Sequence, residues 1–178
     1  MNTGFIIGFS ASIITAAVVY FIIMKVTGSK GLKGTTFDER QEQARGKAYK
    51  YGFYTMLIGI LALMIIEELE ISMPLSTGLL LFIIAMTGVV VYAVYSIMHD
   101  AYFGLNTKWR TYLIVLILVV ACNVAGGAYN LIDFSKTGGE VLDLTHGANI
   151  CVAIGFVPLL IAIATKKLSE RSDDDEES

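Results

Sequence analysis

Polar side chains inside apolar stretches are the first candidates for chemistry in this chain. Asn123 and Asn130 lie in one long apolar stretch, and Asn149 lies in the next. Polar groups are costly in hydrocarbon unless they are paired, so they usually face other helices or a polar cavity. Two interpretations follow. The asparagines hold helices together by hydrogen bonds, or they line a ligand or ion path that passes Asn123 and Asn130.

A second polar group flanks the turn between those two stretches. Asp133 follows Asn130, His146 precedes Asn149, and a Gly-Gly pair indicates a turn between them. We therefore expect these four side chains at similar depth in the bundle. Histidine titrates near physiological pH, so Asp133 and His146 can form a proton-sensitive pair. A hydrogen bond that only closes the loop is the alternative interpretation.

His99 and Asp100 are adjacent at the end of another apolar stretch. Adjacent residues on a helix point apart, so we interpret them as an interfacial cap rather than as a metal or acid–base site. The chain has two histidines and two cysteines, without the spacing of a structural zinc site. We predict no catalytic residue, no metal and no cofactor, and therefore a protein that is not an enzyme.

The most distinctive charged segment precedes the second apolar stretch. Thr36 and Glu39 have capping-box spacing, which predicts a helix with Thr36 as N-cap and the Glu39 side chain reaching back. Only Gly46 interrupts the following residues, so the helix should continue into the apolar stretch. A capped, solvated helix start is one interpretation. The other is a docking surface for a protein partner, made of Asp38, Glu39, Arg40, Arg45 and Lys47.

The same segment carries a resemblance to other proteins. The letters D-E-R at residues 38–40, followed by K-A at residues 47–48 before an apolar stretch, resemble a segment of small predicted multi-span membrane proteins of unknown function. These proteins occur in bacteria and archaea. The resemblance covers the part of the chain from Asp38 into the apolar stretch. It implies a prokaryotic inner-membrane protein and no particular activity.

Composition indicates the elements that position these residues. The chain has 178 residues, of which 55% are hydrophobic and 16% charged, whereas about a quarter of an average soluble domain is charged. About 20 apolar residues span the hydrocarbon core of a bilayer. Soluble globular, nucleic-acid-binding and disordered proteins are excluded by this composition. Apolar stretches long enough, or nearly long enough, to span a membrane lie at 5–24, 51–66, 74–98, 111–132 and 148–165.

We therefore predict an all-α integral membrane bundle of five transmembrane helices. Residues 1–168 form a single transmembrane domain, with a cytoplasmic loop at 25–50, and residues 169–178 form an acidic disordered tail. Pro74 is expected in a first helical turn, and Pro158 is expected to kink its helix. Continuous apolar stretches do not alternate as the strands of a barrel would.

Lysine and arginine predict the orientation of the bundle. If the five stretches all cross the membrane, twelve of the 13 basic residues fall on one side and only Lys136 on the other. Positive residues favour the cytoplasmic side. The N-terminus is therefore predicted outside and the C-terminus in the cytoplasm, in a multi-pass protein of the inner cell membrane.

These features favour a non-enzymatic accessory, sensor or immunity-type protein. It would act through helix packing and the docking segment, with the lipid bilayer, a cytoplasmic protein and a second copy of the chain as candidate partners and no nucleic acid. The alternative is a small transporter or channel subunit with a polar path near Asn123 and Asn130. Transporters commonly contain paired repeats, and five spans cannot divide into equal halves.

Overall fold

Four long helices make up the described part of the chain, which is residues 37–103 and 109–176 of a computed structural model. They are α1 (Glu39–Glu68), α2 (Thr77–Met98), α3 (Trp109–Thr137) and α4 (Leu144–Glu176). Each contains a stretch long and apolar enough to cross a membrane. Over the described residues, the prediction of an all-helical protein with several helices suited to a membrane is therefore confirmed. The predicted span at 5–24 and the first part of the basic loop, up to residue 36, lie outside the described residues.

Helices α2 and α4 form the centre of the packing. α2 contacts α1 on one side and α4 on the other, while α3 packs against α4. The α2–α4 core joins Ala93 and Ile97 to Leu159, Ala162 and Ile163. Alanine at this contact leaves room for close approach of the two backbones, which is how helices commonly associate in membranes.

Two glycines set the contact between α1 and α2. A Cβ atom placed on Gly52 would lie 2.7 Å from the carbonyl oxygen of Gly88, and one placed on Gly88 would lie 2.9 Å from the carbonyl oxygen of Gly52. The two backbones therefore approach as closely as glycine allows. One turn before Gly52 in α1 and one turn after Gly88 in α2, the rings of Tyr49 and Tyr92 stack with their centroids 4.4 Å apart.

Backbone hydrogen bonds join two loops at one end of the bundle, which we name the Leu142 end. The Leu142 N–H donates to the carbonyl of Pro74, and the Ser76 N–H donates to the carbonyl of Leu142, each over 2.9 Å. These bonds tie the α1–α2 loop to the α3–α4 loop. At the opposite end, the N-terminus of α1, the C-terminus of α2 and Lys166 of α4 meet around Asp100. We name it the Asp100 end.

Two predicted boundaries differ from the structure. Pro74 does not lie in the first turn of a helix, because α2 begins at Thr77 and the Ser76 side chain caps it by accepting a hydrogen bond from the Leu79 N–H. Helix α4 continues to Glu176, so residues 169–176, predicted as a disordered tail, have helical backbone. No Gly or Pro follows Pro158 to end that helix.

Helix α1 runs without interruption from the charged segment into the apolar stretch, as predicted. Its 30 residues extend for about 45 Å at about 1.5 Å per residue. A hydrocarbon core is only about 30 Å thick. The charged N-terminal turns of α1 therefore project beyond the apolar part of the helix at the Asp100 end. Pro158 lies inside α4, and the kink expected there stays a prediction.

Candidate functional site

The first turn of α1 is held by a capping box, but by other residues than predicted. The Asp38 side chain accepts a hydrogen bond from the Gln41 N–H over 2.7 Å, and the Gln41 side chain accepts one from the Asp38 N–H over 3.2 Å. Asp38 is thus the N-cap, and Glu39 is the first helical residue. The prediction of Thr36 and Glu39 was wrong because Asp38 and Gln41 offer the same three-residue spacing two positions later.

Gln41 also links α1 to the end of α2. Its amide Nε2 donates to the backbone carbonyl of Asp100 over 2.6 Å, and Gln41 itself is buried. Asp100 has a positive φ of 58°, a left-handed conformation that aspartate tolerates better than most residues. This turn directs the Asp100 carbonyl towards α1 just after α2 ends with His99 as its C-cap.

The Asp100 carboxylate forms ion pairs with basic side chains of two other helices. The Lys166 ammonium of α4 donates to Oδ2 over 2.8 Å, and the Arg40 guanidinium of α1 lies 3.7 Å from the same oxygen. The side chain of Lys166 is only 25% exposed, whereas that of Arg40 is 78% exposed. Asp100 therefore joins α1, α2 and α4 at one point, beyond the cap role expected from the sequence.

A cleft of about 410 Å³ opens beside this junction. Three of its lining side chains are cationic and one is a carboxylate, so its formal charge is positive when histidine is neutral. Aromatic and apolar side chains complete the wall. The lining residues are Arg40, Gln43, Ala44, Lys47, Tyr95, Met98, His99, Asp100 and Lys166.

Aromatic stacking supports the wall of the cleft. The rings of Tyr95 and His99 stack with their centroids 4.0 Å apart, and Tyr51 packs against Tyr95 at 5.1 Å. The Nδ1 atom of His99 lies 2.9 Å from the Tyr95 carbonyl oxygen, one turn earlier in α2. These contacts fix the side chains that face the cleft from α2.

The predicted docking residues do not form one surface. Arg40 and Lys47 line the cleft. Asp38 caps the helix. The Arg45 guanidinium lies 4.0 Å above the centre of the Phe37 ring, at a distance typical of a cation–π contact. Glu39 alone of the five is exposed without a cap or cleft role.

At the Leu142 end, His146 joins two carboxylates. Its Nδ1 atom lies 2.6 Å from Asp143 Oδ1, and its Nε2 atom lies 3.7 Å from Asp133 Oδ2. Sequence reasoning found Asp133 but missed Asp143. The signal was present as an acidic residue three positions before His146, since an N-cap carboxylate bonds the N–H of the third helical residue.

Asp143 is that N-cap. Its carboxylate accepts the His146 N–H over 3.0 Å. Burial raises the pKa of Asp143, but hydrogen bonds from the His146 backbone and side chain, together with the charge of His146, outweigh burial and hold the pKa below its usual range. The arrangement therefore stabilises the start of α4 with a charged aspartate.

The three asparagines contact helix backbones or pack at the α3–α4 interface. Asn123 Nδ2 donates to the Val119 carbonyl of its own helix over 2.8 Å, and Asn130 Nδ2 donates to the Thr145 carbonyl over 3.1 Å. Asn149 packs against Gly126, where an added Cβ would meet its amide nitrogen at 2.5 Å. Asn130, Asp133, His146 and Asn149 therefore lie between α3 and α4, while Asn123 bonds within α3.

Within the described ranges, no three His, Cys, Asp or Glu residues converge as metal ligands. A comparison of the chain with models of protein families finds no match, and comparisons with curated proteins and with solved structures find none either.

Proposed function

We propose that this chain is a non-enzymatic accessory protein of the inner cell membrane and that the N-terminal turns of α1 dock a cytoplasmic protein. The supporting observation is a charged helical extension that is fixed at its base and exposed on its outer side. Gln41, Ala44 and Ala48 are buried against the rest of the bundle. Residues on the opposite side of the same turns face away from it.

The proposed docking surface is this outer face, defined by Glu39, Glu42, Gly46 and Lys50, all of which are exposed. At about 100° per residue these positions lie on the side of the helix opposite the buried residues. They present two acidic groups near the helix start and one basic group further along. A rigid surface of this kind binds with little loss of conformational freedom.

The cytoplasmic assignment is part of the proposal. Basic residues of the described helices concentrate at the Asp100 end, where they include Arg40, Arg45, Lys47, Lys50, Lys166 and Lys167, whereas Lys136 lies near the Leu142 end. Positive residues favour the cytoplasmic side of a membrane. Single cysteines in place of Ser72 and of Lys50 should therefore react with an impermeant reagent from opposite sides of intact cells, Ser72 from outside.

The contacts of the asparagines favour helix packing over a transport path. Asn123 donates a side-chain N–H to a carbonyl of its own helix, and Asn130 donates one to the Thr145 carbonyl of α4, a bond of the kind that holds membrane helices together. The structure therefore adds no observation in favour of the transporter alternative.

The docking proposal is tested by charge reversal on the outer face. The full-length protein carrying Glu39→Lys and Glu42→Lys should lose a partner that co-purifies with the wild-type protein from native membranes in mild detergent. Asp38 is unsuitable for this test, because its replacement would also remove the N-cap of α1. Recovery of the partner at wild-type yield would refute the proposal.

A matched control carries the same change of charge elsewhere. Glu68 and Glu140 are exposed residues near the Leu142 end, and Glu68→Lys with Glu140→Lys should leave partner recovery unchanged. The helical circular dichroism of both double variants should equal that of the wild type. Equal loss of the partner in the two variants would indicate a general charge effect and would contradict a specific docking face.

A further inference from the structure

We propose that the cleft at the Asp100 end binds the phosphate of an anionic lipid headgroup. The cleft lies between α1, α2 and α4 and is distinct from the outer face of α1 that we propose for protein docking. Arg40 and Lys47 enter it from α1, and Lys166 enters it from α4. Lipid binding here does not depend on the docking proposal.

The cationic groups retain capacity for a phosphate. The Arg40 guanidinium lies 3.7 Å from the Asp100 carboxylate, and its side chain is 78% exposed. Because an arginine has five N–H donors, this one ion pair leaves donors for a phosphate. Lys47 is exposed, and its ammonium group makes no hydrogen bond or ion pair with another described residue. Lys166 donates one hydrogen bond to Asp100, and an ammonium group has three N–H donors.

The position of the cleft favours a lipid over a soluble phosphate. Tyr95 and Met98 belong to the last turns of α2, a helix apolar enough to span a membrane, and both line the cleft. Met98 is 44% exposed. A lipid bound here would place its phosphate among the basic groups and its glycerol and upper acyl chain along Tyr95 and Met98. Basic pockets between transmembrane helices commonly bind anionic headgroups in this way.

Replacement of Asp100 tests the proposal, because lipid binding in the cleft and a purely structural role predict changes of opposite sign in anion affinity. Its carboxylate neutralises part of the positive charge beside the cleft, so Asp100→Asn should strengthen anion binding even as it removes an ion pair from the fold. A role that is only structural predicts the opposite, because loosening the junction would disperse Arg40 and Lys166. Asparagine also tolerates the left-handed backbone found at this position.

The experiment uses native mass spectrometry of the full-length protein in neutral detergent, titrated with phosphatidylglycerol. Lys47→Gln should weaken binding about fivefold, since one lysine near a membrane surface contributes about 1 kcal/mol and about 1.4 kcal/mol is tenfold. Asp100→Asn should strengthen it. The matched control, Lys50→Gln, removes a lysine that does not line the cleft and should leave binding unchanged.

Two further arms identify the source of the phosphate. Phosphatidylcholine should bind more weakly than phosphatidylglycerol, and millimolar inorganic phosphate should not displace the bound lipid. Equal binding of the two lipids, displacement by inorganic phosphate, equal effects of Lys47→Gln and Lys50→Gln, or weaker binding by Asp100→Asn would each overturn the proposal.

Discussion

The ion pair between Lys166 and Asp100 should stabilise the fold more than the pair between Arg40 and the same carboxylate. Coulomb attraction scales with the inverse of distance, so the difference between 2.8 Å and 3.7 Å separates the two pairs only modestly. The exposure of the two basic side chains distinguishes the strengths of the two ion pairs more than the distance does. Arg40 is 78% exposed and must lose the freedom of a long side chain to hold the contact, whereas Lys166 is only 25% exposed.

The magnitudes follow from these environments. Exposed ion pairs contribute about 0.2–1 kcal/mol, and hydrogen bonds to charged groups contribute about 1.5–3 kcal/mol. The Asp100 side chain is 42% exposed, so we place the Lys166–Asp100 coupling between the two ranges, at about 1 kcal/mol. The Arg40–Asp100 coupling should be below about 0.3 kcal/mol and should vanish at high salt.

Double-mutant cycles measure both couplings. Asp100→Asn is combined with Lys166→Met in one cycle and with Arg40→Met in the other, and the free energy of unfolding is followed by circular dichroism in mixed micelles of a mild detergent and dodecyl sulfate. Asparagine keeps the left-handed backbone at Asp100, so the cycle isolates the charge. An Arg40 coupling equal to or larger than the Lys166 coupling would refute the reasoning from exposure.

Three further predictions concern stability and use the same unfolding assay. Gly52→Ala should destabilise the protein by about 1–3 kcal/mol through overpacking, because its Cβ would lie 2.7 Å from the Gly88 carbonyl oxygen. The control Gly46→Ala adds a Cβ that meets nothing within 4 Å and should stabilise the protein by about 0.5–1 kcal/mol. Equal effects of the two substitutions would contradict the close contact of the α1 and α2 backbones. The pKa of Asp143 is lowered in the folded protein, so its charge should stabilise the fold above its usual pKa of about 4, and this stabilisation should be lost as the pH falls through the lower folded pKa. Asp143→Asn keeps the N-cap and should flatten that part of the curve of unfolding free energy against pH. An unchanged curve would contradict the role of the Asp143 charge. Ser96 Oγ is buried without a hydrogen-bond partner among the described residues, so Ser96→Ala should be neutral or stabilising by up to about 1 kcal/mol, and a clear loss of stability would indicate a missed partner.

Long apolar stretches made the helical, membrane-spanning character predictable from the sequence. Hydrophobicity over about 20 residues is a strong signal, because any spanning segment in lipid must satisfy its own backbone hydrogen bonds. Continuity of α1 was also predictable, because only Gly46 breaks the run of helix-forming residues. The helix starts were less predictable. Asp38 and Thr36 both fit an N-cap, and Pro74 and Ser76 both fit the entry of α2.

The grouping of residues at the Asp100 end could not be predicted from the sequence and became visible only in the structure. His99 and Asp100 gave only a weak signal as neighbours on one helix. The partners of Asp100 come from Arg40 and Gln41 on α1 and from Lys166 on α4, which are far from it in the chain. No local spacing rule connects residues separated by 59 or 66 positions. The polar residues around His146 were easier to group, because α3 and α4 are joined by a short turn.

The central claim is that the outer face of α1 docks a cytoplasmic protein. Site-specific photo-crosslinking in living cells tests this claim most directly. A photoreactive residue in place of Gly46 would stand at the centre of this face in open space, where an added Cβ meets nothing within 4 Å; the same residue in place of Glu140 samples the Leu142 end. We predict one discrete protein adduct from position 46, lost when Glu39→Lys and Glu42→Lys are added, and none of that size from position 140. The same adduct from both positions, or an adduct from position 46 that survives the charge reversal, would contradict the account.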